Sequence, residues 1–497
     1  ASAPPAEQEV TLPIDLYRDE ILVRIARDPV TIIFGETGCG KSSRLPIMLL
    51  RHAEATKQPC RMMVSQPRRI AVSSLYKRVK ETLGEKVGMR MGHGVREESN
   101  DTQVFFVTTG YLVRLLAHKP DAMRNHTHII IDEVHERSVD GDVVCLLVRR
   151  LLARFPHIKV ILMSATIHTD LYKTYFSVGE GEDDGRARAV NPDTQRNILE
   201  EPEPEDGSRD MRHCLFVGSR RFPLDIRYLE TLAEYTRGRP DVCLAANRLI
   251  QACGGGKRGG GGGGGGRGGG DARSIHTSTV GSMQFIKDQH TLAVQLITQV
   301  TTLGSSLLVF VSGMSDILEL TEKLSHASAK YRVIAIHSEI PFEEQEAAFA
   351  PTLSHEVKVI LATNAAESSI TLPDVDTIIC LGMHKAISYN QERHHSVLTN
   401  QWISKASSTQ RAGRTGRVRP GRVFRLYSRA LFQDVMSEYG EPEILRVPLQ
   451  ETILKTSEDF EGVVPLLEDM LEPPDVRNVE QSFEHLYSMG LIDEPSE

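Results

Sequence analysis

Gly35-Glu36-Thr37-Gly38-Cys39-Gly40-Lys41-Ser42 stands between two stretches of opposite character. Ahead of it, Val30-Thr31-Ile32-Ile33-Phe34 is short, apolar and β-branched, which reads as a buried strand. Behind it, Ser43 to Leu50 reads as a helix. A glycine-rich turn between strand and helix gathers backbone N–H groups at the positive end of the helix and so cradles phosphates. In such a loop Lys41 reaches the β- and γ-phosphates, and the Ser42 hydroxyl holds Mg²⁺. The pattern alone is moderately specific, because a glycine-rich turn with a surface lysine also satisfies it. What lies downstream decides between the two.

The chain has 497 residues, too many for one core, so two or three domains are expected. Forty per cent apolar and 25% charged residues describe an ordinary globular composition. No apolar run reaches the length of a membrane span, and no N-terminal signal segment is visible. The opening Ala1-Ser2-Ala3-Pro4-Pro5 lacks an initiator Met and reads as a processed or excised piece. Seven cysteines without a C-x-x-C pair argue against a disulfide framework and a structural zinc site. A reducing, intracellular setting is expected, nuclear or cytoplasmic, with an organelle left open. The net charge of −8 is misleading, since residues 179–210 hold eleven acids against four arginines. That stretch reads as a solvated acidic loop. The nearly neutral remainder neither supports nor excludes a nucleic-acid partner.

From Leu12 to Phe176, strand-like runs alternate with helix-length amphipathic stretches: Arg61–Ser65, Gln103–Thr108, His128–Asp132 and Lys159–Ser164 are the strands. A second series contains Leu307–Val311, Val333–Ile336, Val357–Leu361 and Thr377–Cys380. The alternation predicts an α/β fold of two tandem domains, with parallel sheets and ligands at the carboxyl ends of the strands. Between them lies the glycine tract 254–270, which cannot pack a core and reads as an inserted spacer. The division expected is a leader over 1–11, a first domain over 12–215 and a second over 216–445. A helical segment follows over 446–497.

Two further motifs carry chemistry. Ile129-Ile130-Ile131 ends in Asp132-Glu133-Val134-His135, a buried strand delivering two carboxylates. Asp132 is placed to hold the Mg²⁺ of a nucleotide lying on Lys41, and Glu133 to polarise the attacking water. The alternative, a solvated acidic turn, fits poorly at the end of a buried strand. Gln410-Arg411-Ala412-Gly413-Arg414-Thr415-Gly416-Arg417 places three arginines at i, i+3 and i+6, which on a helix share one face. The interleaved glycines are unfavourable in a helix and point to a close approach, such as phosphate oxygens. Arginines of the second domain aimed at a triphosphate bound by the first would act as arginine fingers.

With these three elements the chain resembles the DEAH-box RNA helicases of superfamily 2, in the DEAH/RNA-helicase-A group. Further stretches match that family's motifs in order. Gln66-Pro67-Arg68-Arg69-Ile70-Ala71 and Thr108-Thr109-Gly110-Tyr111-Leu112 match the RNA-contacting motifs of the first domain. Ser164-Ala165-Thr166 matches the motif that couples hydrolysis to unwinding. Phe310-Val311-Ser312-Gly313, with His337-Ser338, opens the second domain, and Ala362 to Thr371 matches the motif that touches RNA and nucleotide. The resemblance implies two RecA-like domains followed by the start of a winged-helix domain. It implies ATP and Mg²⁺ as ligands, with Gly35 to Ser42 and Asp132 binding them and Glu133, Gln410, Arg414 and Arg417 catalytic. Arg68, Arg69, Thr109, Gly110, Ser312, Gly313, Thr363 and Asn364 would contact an RNA backbone, and Ser164, Thr166 and His135 would couple the two events. Hydroxyls and bare N–H groups suit sugar–phosphate contacts without base readout.

The implied activity is NTP-driven translocation and unwinding of single-stranded RNA, 3′ to 5′, by a monomeric core working with a protein activator or ribonucleoprotein complex. Other NTPs should serve too, since the sole upstream glutamine, Gln8, lies in a Pro-rich leader. Val134 replaces the family's alanine, and Cys380-Leu381-Gly382-Met383-His384-Lys385 lacks the acid of its D-x-G-x-x-K. The stretch 383–402 is where the resemblance places a strand-separating hairpin, and weak unwinding is expected without further C-terminal domains. A helicase-like scaffold using ATP as a switch, and a DNA translocase, are the competing readings. The scaffold is opposed by the complete set Lys41, Ser42, Asp132, Glu133, Gln410, Arg414 and Arg417.

Overall fold

A computed structural model describes residues 12–493 except 37, 93, 166–168, 178–213, 219–221, 254–281, 329, 368–371, 373, 391–394, 418 and 457–462. The leader, both insertions, Thr37 and Thr166 therefore lie outside the described residues.

The first sheet has eight strands: β1 (Val30–Phe34), β2 (Met62–Gln66), β3 (Val87–Arg90), β4 (Arg96–Glu97), β5 (Val104–Thr108), β6 (His128–Ile131), β7 (Lys159–Ser164) and β8 (Cys214–Phe216). Their order is β4-β3-β5-β2-β6-β7-β1-β8, parallel throughout except for the short β4. All five residues of β1 and of β2 are buried, which is what a parallel sheet covered by helices on both faces requires. The order has a chemical consequence. The carboxyl ends of β5, β2, β6, β7 and β1 lie side by side, and each one opens into a motif singled out above.

The second sheet holds β9 (Leu224–Tyr228), β10 (Ser306–Phe310), β11 (Tyr331–Ile336), β12 (Val357–Ala362), β13 (Thr377–Cys380) and β16 (Gly421–Arg425), in the order β11-β12-β10-β13-β16-β9. Between β13 and β16 the chain makes a separate antiparallel hairpin, β14 (Met383–Asn390) and β15 (His395–Trp402), in register from Met383↔Trp402 outward. This is the hairpin expected over 383–402. The strand β9 precedes the rest of its sheet by about 80 residues and closes the edge beside β16.

The C-terminal helices Gln450–Thr456, Val463–Glu468 and Val476–Ser488 do not stand apart. Ile453, Leu466, Leu467, Phe483 and Leu486 are buried in the same cluster as Leu112, Leu116, Val144 and Leu151 of the first domain. Each such side chain contributes about 1.5–3 kcal/mol of transfer free energy. These helices are thus an extension of the first domain's core, and the expected start of a winged-helix domain is not distinguished in them.

Candidate nucleotide site between the two sheets

The turn after β1 is held tightly. Gly38 and Gly40 adopt φ values of +90 and +101, accessible to glycine at little steric expense. A side chain on Gly40 would meet Leu12 at 2.8 Å and Ile14 at 3.0 Å, and Ile14 N–H donates to the Cys39 carbonyl at 3.1 Å. Residues just ahead of the first helix therefore brace the loop from outside. Gly35 N–H donates to the Ser164 carbonyl at 3.2 Å, tying the loop to the end of β7. Helix Lys41–Thr56 begins at Lys41 itself, two residues earlier than the apolar periodicity suggests. The Lys41 ammonium is buried and turned back onto the loop, donating to the Gly35 carbonyl and to the Glu36 carbonyl at 3.2 Å, with Cys39 Sγ at 3.5 Å.

At the end of β6 the Asp132 carboxylate accepts from Gln66 Nε2 at 2.6 Å and from the Glu133 N–H at 2.9 Å. Burial, with the charge of Glu133 behind it, raises the Asp132 carboxyl to about 6, against hydrogen bonds from Ser42 and Gln66 and the charge of Lys41. Ser42 and Asp132 thus meet across the loop, as the Mg²⁺ reading needs. Among the described residues no three His, Cys, Asp or Glu side chains cluster to hold a metal ion. A cation here would complete its shell with phosphate oxygens and water, which is how Mg²⁺ binds.

Glu133 is a non-glycine residue at φ +56, so the strand turns sharply and presents its carboxylate beside the loop. His135 lies 3.6 Å from Glu133 through Nδ1, and that nitrogen accepts from Ala165 N–H at 3.3 Å. Its Nε2 meets the Gln410 side-chain amide of the second domain at 2.9 Å. His135 therefore touches the ends of β6 and β7 and the opposite domain at once.

The arginine motif corrects the helical expectation. Helix Lys405–Ala412 is capped by Ser404, whose hydroxyl accepts from Ser407 N–H at 3.1 Å, and it ends at Gly413. Arg414 and Arg417 lie beyond it, in a turn where Gly416 has φ +74. Arg411 points away from the cleft: it is fully buried, pairs with Glu367 at 2.8 Å and lies over the Phe310 ring at 4.9 Å. It also reaches Cys380 Sγ at 3.7 Å, the position where the family carries an acid, so Glu367 supplies its counter-charge. Arg414 donates to the Glu367 carbonyl. Arg417 crosses to the first domain, its Nε 3.0 Å from where a Cβ on Gly38 would stand. Among the described residues its buried Nε and Nη1 have no hydrogen-bond partner. Burial, with Arg414 and Arg78 nearby, lowers its pKa to about 9. A half-buried cation with two unsatisfied buried nitrogens, set against a glycine cradle, fits an anion site.

Sequence reasoning missed three contributors. Gln66 reaches Asp132, and its signal was a polar residue ending an apolar strand. Arg78 and Phe349, from opposite domains, both line a cavity of about 390 Å³, which Lys77 and Glu346, an ion pair, line as well. An arginine and an aromatic ring so placed suit a flat heterocycle between them. Their signal was spatial, since they lie 271 residues apart (349 − 78).

The expected nucleic-acid residues follow strands of both sheets. Arg69 is exposed, and Arg68 pairs with Glu136 at 3.4 Å. The Thr109 hydroxyl bonds Ser65 at 3.1 Å, and Gly110 lies under Asp140, 2.8 Å from a Cβ built there. Ser312 donates through N–H (2.9 Å) and hydroxyl (2.6 Å) to Asp316, and Lys385 lies over Gly313. Thr363 caps the short turn Asn364–Ala366 beyond β12, leaving Asn364 exposed.

Residues 18–174 match the DEAD/DEAH box helicase family, and residues 290–419 match the helicase conserved C-terminal domain. The chain belongs to the DEAD/DEAH-box helicases. This helicase core is 30% identical to the DExH-box ATP-dependent RNA helicase DExH1 of Arabidopsis thaliana, over 98% of this chain and 48% of that protein. It is 32% identical to the probable ATP-dependent RNA helicase spindle-E of Drosophila grimshawi, over 97% and 31%. It is 30% identical to the ATP-dependent RNA helicase DHX29 of Mus musculus, over 98% and 36%. The core thus spans a third to a half of these relatives. Its fold is shared with the crystal structure of the Escherichia coli DEAH/RHA helicase HrpB, with a TM-score of 0.71 and 22% identity, over 98% of this chain and 51% of that one.

Proposed function

We propose that this helicase core hydrolyses ATP, and other nucleoside triphosphates, to move 3′ to 5′ along single-stranded RNA and open duplexes. The observation that carries the nucleotide part is Arg417, half-buried, whose Nε and Nη1 are buried without a hydrogen-bond partner among the described residues and which lies against Gly38 of the phosphate loop from the opposite domain.

In this reading Lys41 leaves the Gly35 carbonyl for phosphate oxygens. The Ser42 hydroxyl and Asp132 hold Mg²⁺, with Gln66 fixing Asp132. Bound there, Mg²⁺ neutralises phosphate charge and orients the triphosphate. Glu133 accepts the proton of the attacking water. Arg414 and Arg417 stabilise charge on the transferring phosphoryl, and arginine fingers of this kind are worth roughly 10³–10⁵ in kcat. His135 carries the state of this chemistry to Gln410, so domain closure and hydrolysis depend on each other. Stacking between Arg78 and Phe349 would accept any base, because every base offers a π-face.

The RNA part is supported by the family and by the exposed Arg69 and Asn364 on different domains. The direction rests on the family resemblance. Seven free cysteines fit a reducing compartment, and among the described residues no helix is long and apolar enough to cross a membrane. A single experiment tests the reading: steady-state hydrolysis of ATP and GTP with and without single-stranded RNA or DNA. RNA-stimulated turnover of both nucleotides is expected, and equal stimulation by DNA would return the translocase reading.

A further inference from the structure

The turn that presents Glu133 is anchored at its far end by residues that the nucleotide reading leaves unused. Arg137 has φ +49, so the turn Val134–Glu136 is bracketed by two left-handed non-glycine residues. Such backbone persists only where the surroundings hold it. The holding groups come largely from the C-terminal segment. The Arg137 carbonyl accepts from Glu443 N–H at 3.0 Å, and the Glu443 carboxylate accepts from Val139 N–H at 3.1 Å. The Arg137 guanidinium forks onto Asp142 at 3.0 Å through both Nε and Nη2, and Nη2 also stands 2.6 Å from the Glu472 carboxylate as an ion pair. A second route runs through helix Thr169–Ser177. Tyr172 donates to the Val134 carbonyl inside the turn at 2.6 Å, and Tyr175 donates to the Asp469 carbonyl at 2.8 Å. On its other side the same turn meets the second domain through His135 and Gln410.

We infer that Glu443 and Glu472, acting through the positioning residue Arg137, and Asp469, acting through Tyr175 and helix Thr169–Ser177, position the catalytic Glu133 from the docked C-terminal part of the chain. The inference rests on the hydrolytic reading above. Its physical content is that a turn bracketed by two left-handed non-glycine residues keeps this conformation only while the C-terminal contacts hold it. Loosening that grip should leave nucleotide binding intact, because Lys41, Ser42 and Gly38 belong to a different loop.

Removing Arg137 would leave Asp142 buried and unpaired, so the test uses Glu472, whose side chain is 42% exposed. In the full chain, Glu472→Ala and Glu472→Gln should each lower kcat of RNA-stimulated ATP hydrolysis about tenfold, the scale of one mispositioned group. KM and the affinity for a fluorescent ADP should stay within about twofold, and Tm should not move. Arg137→Lys, which keeps the charge against Asp142 but loses the fork, should reproduce that split. Hydrogen exchange at the Glu136 and Arg137 amides, which close the turn onto Glu133 and Val134, should quicken in Glu472→Ala. Unchanged kcat and exchange overturn the proposal. So does a joint fall of kcat, ADP affinity and Tm, which marks plain structural support. Absence of any ATPase in the unsubstituted chain sinks the hydrolytic reading instead, and the exchange measurement then still decides whether the C-terminal segment holds the turn.

Discussion

Lys41 and Arg417 face the same phosphate loop from opposite domains, and their partners predict different variant behaviour. Lys41 is satisfied by loop carbonyls; in the proposed reading it neutralises ground-state phosphate charge, so Lys41→Ala should abolish nucleotide binding. In the proposed reading Glu133 acts on the water alone, so Glu133→Gln should bind ATP normally and not turn it over. Equilibrium binding of a fluorescent nucleotide beside steady-state ATPase separates the two, and full activity in Glu133→Gln would remove Glu133 from its role. Arg417→Ala should lower kcat by roughly 10³ or more with little change in affinity. Arg411→Ala should behave otherwise. It strips the counter-charge from Glu367, whose side chain is 14% exposed, and, as for other broken pairs with a buried partner, should cost about 3 kcal/mol of stability, read as a lower Tm in the variant.

At the scale of elements, the end of one helix decides where the fingers lie. Had Lys405–Ala412 continued, Arg414 and Arg417 would have followed Arg411 around one face. Gly413 stops it, and Gly416, at φ +74, redirects the chain toward the first domain. A Cβ at Gly416 would sit 2.7 Å from Leu224 and 3.2 Å from the Phe222 carbonyl, besides straining the backbone. Gly416→Ala should therefore displace Arg417, lowering kcat by about tenfold or more while the isolated phosphate loop still binds nucleotide. Turnover and ADP affinity measured together check this. Normal turnover would mean that the finger tolerates a different approach.

For the molecule as a whole, three histidines, one buried and two half-buried, set an acid limit. Burial lowers His126, His128 and His384 to about 4, assisted by the nearby charges of Arg61, Lys159 and Arg411 respectively. As pH falls below 6.5 the unfolded chain takes up these protons before the folded one does. Stability present above that value is lost between pH 6.5 and 4, by up to roughly 3 kcal/mol per histidine. Tm followed from pH 7 to 4 should fall steeply, and the paired change His126→Gln with His128→Gln should flatten the curve. An unchanged curve would show that other groups set the acid limit. The insertions 179–210 and 254–270 should be removable without loss of ATPase, since lengthening a surface loop costs little closure entropy. A deletion that abolishes activity would show that the insertion packs on the core.

Much of this was legible in the residues themselves. Apolar runs ending in chemistry-bearing residues encode parallel strands, and strand ends are where such sheets place ligands, so the sequence already marks Gly35–Ser42, Asp132 and Glu133 as candidates at strand ends. Local chemistry determined that much because it is carried by contiguous stretches: a loop, a strand end, a run of glycines. The tertiary structure alone decided what depends on residues far apart in the chain. It turned Arg411 inward to Glu367 and sent Arg417 to Gly38, a choice set by burial and by the glycine that ends the helix. It brought Arg78 and Phe349 to one cavity, put Gln66 on Asp132, and folded the C-terminal helices onto the first core so that Glu472 reaches Arg137. None of these contacts has a local signature, because each depends on where two elements meet, and packing settles that only when the whole core closes.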